Sequence, residues 1–240
     1  MDYFRISQEQ IARFHEDGYL VVEQLLDEQE TRLLRETARS DSAMLADATR
    51  IQDTKGNEGK LAWWNHPGDD LYGMISRSAR IVGAMEKLLS DEVYHWHSKM
   101  ILKESGGGGA WEWHQDYGYW YNDGCLFPDM ASVSIAVDPA TKHNGCMQML
   151  RQSHKLGRID HGQDESQTFS EQQRTAEAMK KLPLVYCQMQ PGDAVFFHCN
   201  TLHRSDQNNS DEPRWSLICC YNTRHNAPYR QLDHPQYTPL

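Results

Sequence analysis

The sequence predicts a mainly β protein with flanking helices (α+β) and a jelly-roll core. From Val93 onward, short runs rich in Val, Ile, Tyr, Phe and Trp alternate with Gly, Pro, Asn and Asp, which is typical of an all-β sandwich or barrel. The region before Val93 instead carries apolar residues at helical spacing. With 240 residues, 39% of them hydrophobic, the chain suits one core, so we expect a single domain over residues 1–240.

Residues 1–91 are expected to form a helical scaffold packed on the sheet. Ser7 with Gln10 resembles a capping box, in which two residues satisfy each other's free backbone N–H groups at the start of a helix. Asp27 with Glu30 repeats the device before a second amphipathic segment. Both spacings predict where helices begin.

A strand over residues 19–26 and a third helix over residues 75–89 complete the predicted scaffold. Residues 92–240 are expected to form the jelly-roll core, interrupted by an exposed helical insert at about 166–181 that is rich in Glu, Gln and Lys. The predicted strands of the core are 92–103, 111–115, 131–137, 146–150, 184–190, 194–198 and 214–221.

The net charge of −10, with a pI near 5.6, disfavours nucleic acid and anionic membranes as partners. No apolar run reaches the roughly 20 residues that a membrane span needs, and the first residues lack the basic-then-apolar order of a secretory signal. We therefore expect a cytoplasmic protein, monomeric or homodimeric, that acts on a small molecule.

The six cysteines are scattered without a CxxC pair through segments that are predicted to be strands. We interpret them as reduced core thiols, because a chain of this length needs no disulfides for stability and no oxidising compartment is indicated. Their even number also permits disulfides.

A histidine and a carboxylate stand two residues apart at His114 and Asp116. On a strand, side chains at i and i+2 project to the same face, so both can reach one ion. His203 follows a later turn and strand. Two imidazoles and one carboxylate leave the other positions of an ion open, which is characteristic of iron(II) oxygenases.

The His-x-Asp spacing is weak evidence by itself, since about one such pair is expected by chance in a chain of this composition. A second pair, His15 and Asp17, ends a predicted helix, where positions i and i+2 do not face each other. We interpret that pair as surface residues. His114 instead follows an apolar strand and has aromatic neighbours.

Arg214 strengthens the case, because it lies eleven residues after His203 at the start of an apolar strand. A guanidinium there can point into the barrel and bind a carboxylate through two hydrogen bonds. Taken alone, Arg214 is better explained as a surface strand residue and His203 as a structural loop histidine. Together with the His114 pair, they favour a metal site with a dicarboxylate co-substrate.

At these residues the chain resembles the phytanoyl-CoA dioxygenase superfamily, which includes ectoine hydroxylase and many bacterial small-molecule hydroxylases. The resemblance extends over nearly the whole chain. The matching motifs are Phe14-His15-Glu16-Asp17-Gly18-Tyr19-Leu20-Val21-Val22, Trp113-His114-Gln115-Asp116, Asn144-Gly145-Cys146-Met147-Gln148-Met149-Leu150-Arg151-Gln152-Ser153-His154, Pro191-Gly192-Asp193 and the segment from His203 to Arg214.

The resemblance implies a cupin-like double-stranded β-helix and an oxidoreductase, more narrowly a dioxygenase that hydroxylates its substrate. Iron(II) would be held by His114, Asp116 and His203, which makes these the catalytic metal ligands. The co-substrates would be 2-oxoglutarate and O2, converted to succinate and CO2 as a C–H bond is hydroxylated. Halogenases of the family carry Gly or Ala at the position of Asp116, so its presence favours hydroxylation.

The resemblance also assigns four residues to 2-oxoglutarate. Arg214 would bind its distal carboxylate with help from Ser205, and Lys103 and Met100 match positions that line or bind the co-substrate. Two departures count against carrying over the acyl-CoA substrate. Ser134 stands where the fatty-acyl branch has tryptophan, and the usual proline-glycine-serine-histidine run is replaced by Leu150-Arg151-Gln152-Ser153-His154.

Aromatic residues crowd the segment after the metal motif. We predict a substrate pocket lined by Tyr117, Tyr119, Trp120 and His97; Trp120 matches a pocket tryptophan of the ectoine hydroxylase type. Such rings can stack on a flat substrate or surround an ammonium group. They can equally fill the core. We hypothesise a small polar metabolite, such as an amino-acid-like or quaternary-ammonium compound, as the substrate.

Two alternatives stay open. A metal-binding cupin-type protein could act as an isomerase, hydrolase or sensor, although such a site needs no arginine clamp. A non-catalytic relative could keep the fold without turnover, although it would have no physical need for both the metal ligands and Arg214.

Overall fold

The computed structural model describes residues 4–163, 167–231 and 233–240. The α-helices are α1 (Gln8–Asp17), α2 (Glu28–Ser40), α3 (Ser42–Asp47), α4 (Leu71–Ser76), α5 (Ala79–Leu89), α6 (Tyr117–Trp120) and α7 (Gln172–Lys181). Short 3-10 helices occupy Ser153–Leu156 and Arg224–Asn226. The first five α-helices precede the long strands of the core, in the region where the sequence predicts helices.

The described residues also form thirteen β-strands. They are β1 (Tyr19–Val22), β2 (Thr49–Gln52), β3 (Glu58–Trp64), β4 (Val93–Lys103), β5 (Trp111–His114), β6 (Met130–Ala136), β7 (Met147–Leu150), β8 (His161–Gln163), β9 (Thr168–Ser170), β10 (Leu184–Cys187), β11 (Ala194–His198), β12 (His203–Ser205) and β13 (Arg214–Thr223).

Two antiparallel sheets form the core. The larger has seven strands in the order β1-β11-β6-β13-β4-β3-β2, and the smaller has four in the order β10-β7-β12-β5. A separate hairpin pairs β8 with β9. Strands that are distant in sequence are neighbours in each sheet, as in a jelly roll. The fold class predicted from the sequence is confirmed.

The seven-stranded sheet is covered on both faces, and strand β6 shows how. Val133 and Ile135 pack in a cluster with apolar residues of the N-terminal helices. Met130 and Ala136, on the opposite face, pack with Met147 and other residues of the four-stranded sheet. Because alternate residues of a strand point to opposite faces, one strand contributes to both layers.

The two predicted capping boxes are confirmed. The Ser7 hydroxyl accepts from the backbone N–H of Gln10, whose side chain accepts from the backbone N–H of Ser7. Asp27 and Glu30 make the same reciprocal pair at the start of α2. Each box satisfies two N–H groups that the first turn of a helix otherwise leaves free.

The helix predicted over residues 75–89 is wrong as a single element. It divides between α4 and α5 at Arg77 and Ser78, where Ser78 has extended backbone angles and serves as the N-cap of α5. The Arg77 side chain donates to the carbonyls of Pro67 and Gly68, which holds the break in place.

The helical description of residues 1–91 also missed β2 and β3, which extend the large sheet at its edge. The residues of β2 are mostly polar and exposed, and in β3 polar and apolar residues do not alternate regularly, so the sequence carries no period-two pattern for either strand. The strand predicted over 19–26 ends at Val22, because Gln24 adopts a left-handed conformation with φ of 50°.

The insert predicted at about 166–181 contains β9 and then α7; its first residue, 166, lies outside the described residues. Helix α7 is not wholly exposed, because Thr175 and Ala178 are buried. The other predicted strands differ from the observed ones mainly at their ends, and β12 was not predicted.

All six cysteines are buried free thiols, as the sequence predicted. They are Cys125, Cys146, Cys187, Cys199, Cys219 and Cys220. Among the residues that the structure describes, no helix combines the length and apolar character needed to cross a membrane.

We expect Gly192→Ala to lower the free energy of unfolding by about 2–4 kcal/mol. Gly192 has φ of 90°, and a Cβ there would lie 2.5 Å from Thr31 Oγ1 and 2.6 Å from the Leu26 carbonyl oxygen. Gly56→Ala is the control, because Gly56 has φ of 82° but open space around it, and should cost about 1 kcal/mol. Urea denaturation measures both; equal losses would contradict the steric argument.

Candidate metal centre

Three side chains from separate segments converge on one point in the small sheet. His114 is the last residue of β5, His203 is the first residue of β12, and the two are directly paired across the antiparallel ladder. Asp116 Oδ1 lies 3.9 Å from Nε2 of each histidine. All three side chains are buried, and their ligand atoms lie within 4.8 Å of one another.

Both imidazole rings are held with Nε2 facing the carboxylate. His114 Nδ1 lies 2.7 Å from the Glu112 carbonyl oxygen, and His203 Nδ1 lies 2.9 Å from that of Thr201. In a neutral ring, Nδ1 must donate to these carbonyls, so the Nε2 lone pair is free to bind a metal.

Asp116 reaches the site by a route that differs from the predicted one. Strand β5 ends at His114, and Asp116 has helical backbone angles at the start of α6. The intervening Gln115 is buried, and its amide donates to the carbonyls of Gly157 and Asn200. The two candidate ligands therefore converge through a strand-to-helix turn, and not through the two-residue repeat of one strand.

The protonation states of the three groups suit metal binding. Burial holds the pKa of His114 well below its usual value and also lowers the pKa of His203. Burial alone would raise the pKa of Asp116, but the positive charge of Lys99, followed by the two histidines, brings it to about 2. Two neutral imidazoles and a carboxylate therefore face each other at neutral pH, without competition from protons.

A cavity of about 270 Å³ opens beside these groups. The lining side chains come from both sheets and from the segment that follows the β8 hairpin strand. They are Ile51, Leu61, Lys99, Ile101, Trp111, His114, Tyr119, Met147, Gln167, Thr168, His203, Arg204, Ser205, Arg214, Ser216 and Ile218. A cavity of this size, with a few polar groups among apolar walls, suits small organic molecules.

Arg214 lines this cavity as a buried cation. It is 5% exposed, and burial lowers its pKa to about 10, so the guanidinium remains charged at neutral pH. Within the described part of the chain no carboxylate pairs with it, and its Nε has no acceptor. Since a buried charge without a partner is costly, this geometry favours an anionic ligand bound from the cavity.

Two further residues assigned to the co-substrate lie near Arg214, and one does not. Ser205 lines the cavity and accepts a 2.8 Å hydrogen bond from Lys103 Nζ. Lys103 is fully buried and also donates to the Asp206 carbonyl, so it is already occupied by protein groups. Met100 points to the opposite face of β4 and packs in the cluster beneath the helices.

Of the four side chains predicted to line the substrate pocket, one lines the cavity and three do not. Tyr119 lines the cavity, and its ring lies 5.7 Å from that of His114. Tyr117 packs between the sheets, where its hydroxyl donates to the Cys125 carbonyl at 3.1 Å. Trp120 and His97 contact each other with ring centroids 5.7 Å apart, outside the lining of the cavity.

Sequence reasoning missed two polar residues of the site. Lys99 lines the cavity, with Nζ 3.9 Å from Asp116 Oδ1. Its position two residues before Ile101, on one face of β4, could have indicated it. Ser132 of β6 donates to Asp116 Oδ2 at 3.0 Å. No spacing in the sequence links Ser132 to Asp116, because the contact joins β6 to the turn between β5 and α6.

The chain matches the family model described as phytanoyl-CoA dioxygenase (PhyH) over residues 14–216. It is similar to an ectoine dioxygenase of Sphingopyxis alaskensis, with 27% identity over 232 residues that cover 90% of this chain and 76% of the relative. It is also similar to an L-proline trans-4-hydroxylase of Streptomyces griseoviridis, with 26% identity over 241 residues that cover 93% of this chain and 89% of the relative.

Solved structures show the same likeness. The crystal structure of EctD from S. alaskensis with bound Fe has a TM-score of 0.80 at 26% identity. The match covers 94% of this chain and 79% of the EctD chain. The crystal structure of EctD with 2-oxoglutarate and 5-hydroxyectoine has a TM-score of 0.77 at 25% identity. This match covers 93% of this chain and 78% of the EctD chain.

We expect His203→Ala to weaken divalent metal binding by more than about 100-fold. Loss of a residue that only hydrogen-bonds a metal ligand typically costs about 10–100-fold, and loss of the ligand itself should cost more. Anaerobic titration with Fe(II) or Co(II) measures the dissociation constant. His143→Ala is the control, since His143 is exposed and apart from the site. Equal affinities for the two variants would contradict this ligand set.

Proposed function

The chain belongs to the phytanoyl-CoA dioxygenase family, and from that premise we propose that it hydroxylates a C–H bond of a small polar metabolite bearing a carboxylate. The protein is an iron(II)- and 2-oxoglutarate-dependent dioxygenase.

One observation carries the assignment of residues. The two imidazoles and the buried guanidinium of Arg214 line a single cavity. The Asp116 carboxylate lies within 4.8 Å of the imidazole donor atoms, beside that cavity. Two nitrogen donors and one oxygen donor suit Fe(II) and leave further coordination positions open for co-substrates. We assign His114, Asp116 and His203 as the iron ligands on this basis.

Arg214 is assigned to the distal carboxylate of 2-oxoglutarate. Its planar guanidinium can make two parallel hydrogen bonds to a carboxylate, and it has no competing carboxylate within the described residues. Ser205, on the same wall, offers a further polar contact, and Lys103 holds the Ser205 side chain in place. The co-substrate would thus replace the missing partner of a buried charge.

When bound, iron and 2-oxoglutarate supply the oxidation: O2 is consumed, 2-oxoglutarate yields succinate and CO2, and one oxygen atom enters the substrate. The protein's own tasks are to fix the ligands, orient both organic molecules and limit water in the cavity. Trp111, Tyr119 and Ile218 form apolar parts of the wall that serve the last task.

Charge in the cavity favours an anionic substrate over a quaternary ammonium compound. None of the described lining residues is acidic, whereas Lys99, Arg204 and Arg214 are cationic. Arg204 is paired with Asp206, and Arg214 is assigned to the co-substrate, which leaves Lys99 for the substrate. Its side chain is 19% exposed, and its Nζ lies 3.9 Å from Asp116 Oδ1.

The relatives agree with a small substrate of this kind. One carries the name L-proline trans-4-hydroxylase, and free L-proline is a small molecule with a carboxylate. The cavity of about 270 Å³ is of a size for such a molecule. We therefore propose an amino-acid-like metabolite as the substrate class.

The deciding experiment is a screen of candidate metabolites with anaerobically prepared Fe(II) enzyme. A substrate should give succinate release coupled to the gain of one oxygen atom in its mass. Free amino acids and cyclic amino acids should be active, and quaternary amines without a carboxylate and acyl-CoAs should not. Saturable turnover of acyl-CoAs alone would overturn the proposal.

We expect Arg214→Ala to raise the KM for 2-oxoglutarate at least about tenfold, because loss of one partner of a buried, hydrogen-bonded ion pair typically costs 2–5 kcal/mol. Succinate formation at saturating Fe(II) and substrate measures this KM. The KM for the organic substrate should change little, and an equal rise in both constants would argue against the assignment.

Lys99→Met should show the reverse pattern, raising the KM for the carboxylate substrate about tenfold while the KM for 2-oxoglutarate stays near the wild-type value. The side chain keeps its length and loses its charge. The methyl ester of the substrate is the matched control, because the wild-type enzyme should prefer the acid over the ester and Lys99→Met should lose most of this preference. An unchanged preference would disprove the contact.

A further inference from the structure

The side chain of Asp116 needs support from outside its own segment. The histidines are fixed by a strand pairing, whereas Asp116 lies in the turn between β5 and α6. A carboxylate on such a turn can rotate, and it can offer a metal one oxygen or both. The contacts of its two oxygens therefore decide how it binds.

The two oxygens of Asp116 have different surroundings. Oδ2 accepts a 3.0 Å hydrogen bond from the Ser132 hydroxyl. Oδ1 lies 3.9 Å from the Nε2 atoms of both His114 and His203, and Lys99 Nζ is also 3.9 Å away. One oxygen is occupied by protein, and the other faces the remaining donors.

Ser132 is placed to hold this bond firmly. It lies on β6, an inner strand of the seven-stranded sheet, and is paired with Phe197 on one side and Cys220 on the other. It has no exposed surface, and its Oγ also lies 3.2 Å from Cys220 Sγ. A buried hydroxyl next to an anion donates to it, because an unmade hydrogen bond to a charge is costly.

We propose that Ser132 is a positioning residue that holds Asp116 as a one-oxygen metal ligand, with Oδ2 kept out of the coordination shell by the hydroxyl of the opposite sheet. The inference rests on the proposed function in so far as Asp116 is the iron ligand. The role of Ser132 goes beyond the proposed function, because it explains how the chain keeps coordination positions of the metal free.

The number of coordination positions on the metal explains why it matters that Asp116 binds through one oxygen. Two imidazoles and one carboxylate oxygen fill three positions of a six-coordinate ion, which leaves three for the keto acid and O2. A carboxylate that binds through both oxygens would remove one of these. Ser132 thus acts on co-substrate binding through Asp116, without touching either co-substrate.

The test measures binding and not turnover. Co(II) and Fe(II) affinities are determined anaerobically for the wild-type protein, Ser132→Ala and Ser98→Ala; 2-oxoglutarate affinity is then measured on each metal-saturated protein. Ser98→Ala is the matched control, because it removes a buried strand hydroxyl that is hydrogen-bonded to His95 Nε2 at 2.7 Å, away from the metal ligands.

Ser132→Ala should bind the metal about 10–100-fold more weakly, the typical effect of losing a partner of a metal ligand. The metal-saturated variant should also bind 2-oxoglutarate more weakly, since the freed Oδ2 competes for a position. Ser98→Ala should match the wild type in both. Wild-type metal affinity in Ser132→Ala would overturn the positioning role, and unchanged 2-oxoglutarate affinity would overturn the one-oxygen arrangement.

If Ser132→Ala does not fold, Ser132→Thr and Ser132→Val replace it, since they have the same shape and differ by a hydroxyl against a methyl group. The threonine variant should bind metal more tightly than the valine variant by a similar factor, and equal affinities would refute the proposal. Failure of the proposed function is separate: it would appear as metal binding that survives His203→Ala.

Discussion

The antiparallel pairing of β5 with β12 is the constraint on which the site depends. It places His114 opposite His203, with ring centroids 4.1 Å apart. Because side chains alternate along a strand, a slip of one residue would turn His203 to the other face and bring Arg204 into its place. The chain secures this register by pairing β12 with β7 on its other edge, where His203 faces Met149. Backbone hydrogen bonds thus set the distance between two of the proposed metal ligands.

The two sheets contribute different side chains to the site. The small sheet carries the histidines and presents their Nε2 atoms, while the large sheet supplies the charged and polar side chains that face them: Lys99, Ser132 and Arg214. The helices stay on the far face of the large sheet, where they bury its apolar side chains. Polar groups in the space between the sheets are tolerated because they find partners there, or are offered to a ligand.

The sequence is most informative where function or a local hydrogen bond restricts residue type. The capping residues Ser7 and Asp27 mark helix starts, and the apolar alternation from Val93 onward predicts the jelly roll. The polar edge strand Thr49–Gln52 left no such trace, since its pairing comes from backbone groups alone. Ser132 was missed for a related reason: its role depends on which segments meet in space, and no local pattern encodes that. The alternation of residues along β4 could have indicated Lys99.

The burial of all six cysteines has a consequence for an enzyme that consumes O2. Burial raises the pKa of each thiol, to about 11 for Cys146 and about 12 for Cys220, which lies against Ser132. A protonated thiol is a poor nucleophile and a poor metal ligand, because the thiolate is the reactive form. Sulfur therefore does not compete for the ferrous ion, and oxidants that escape a failed catalytic cycle meet groups that resist conversion to sulfenic acid. The buried thiols thus suit an interior in which O2 is consumed.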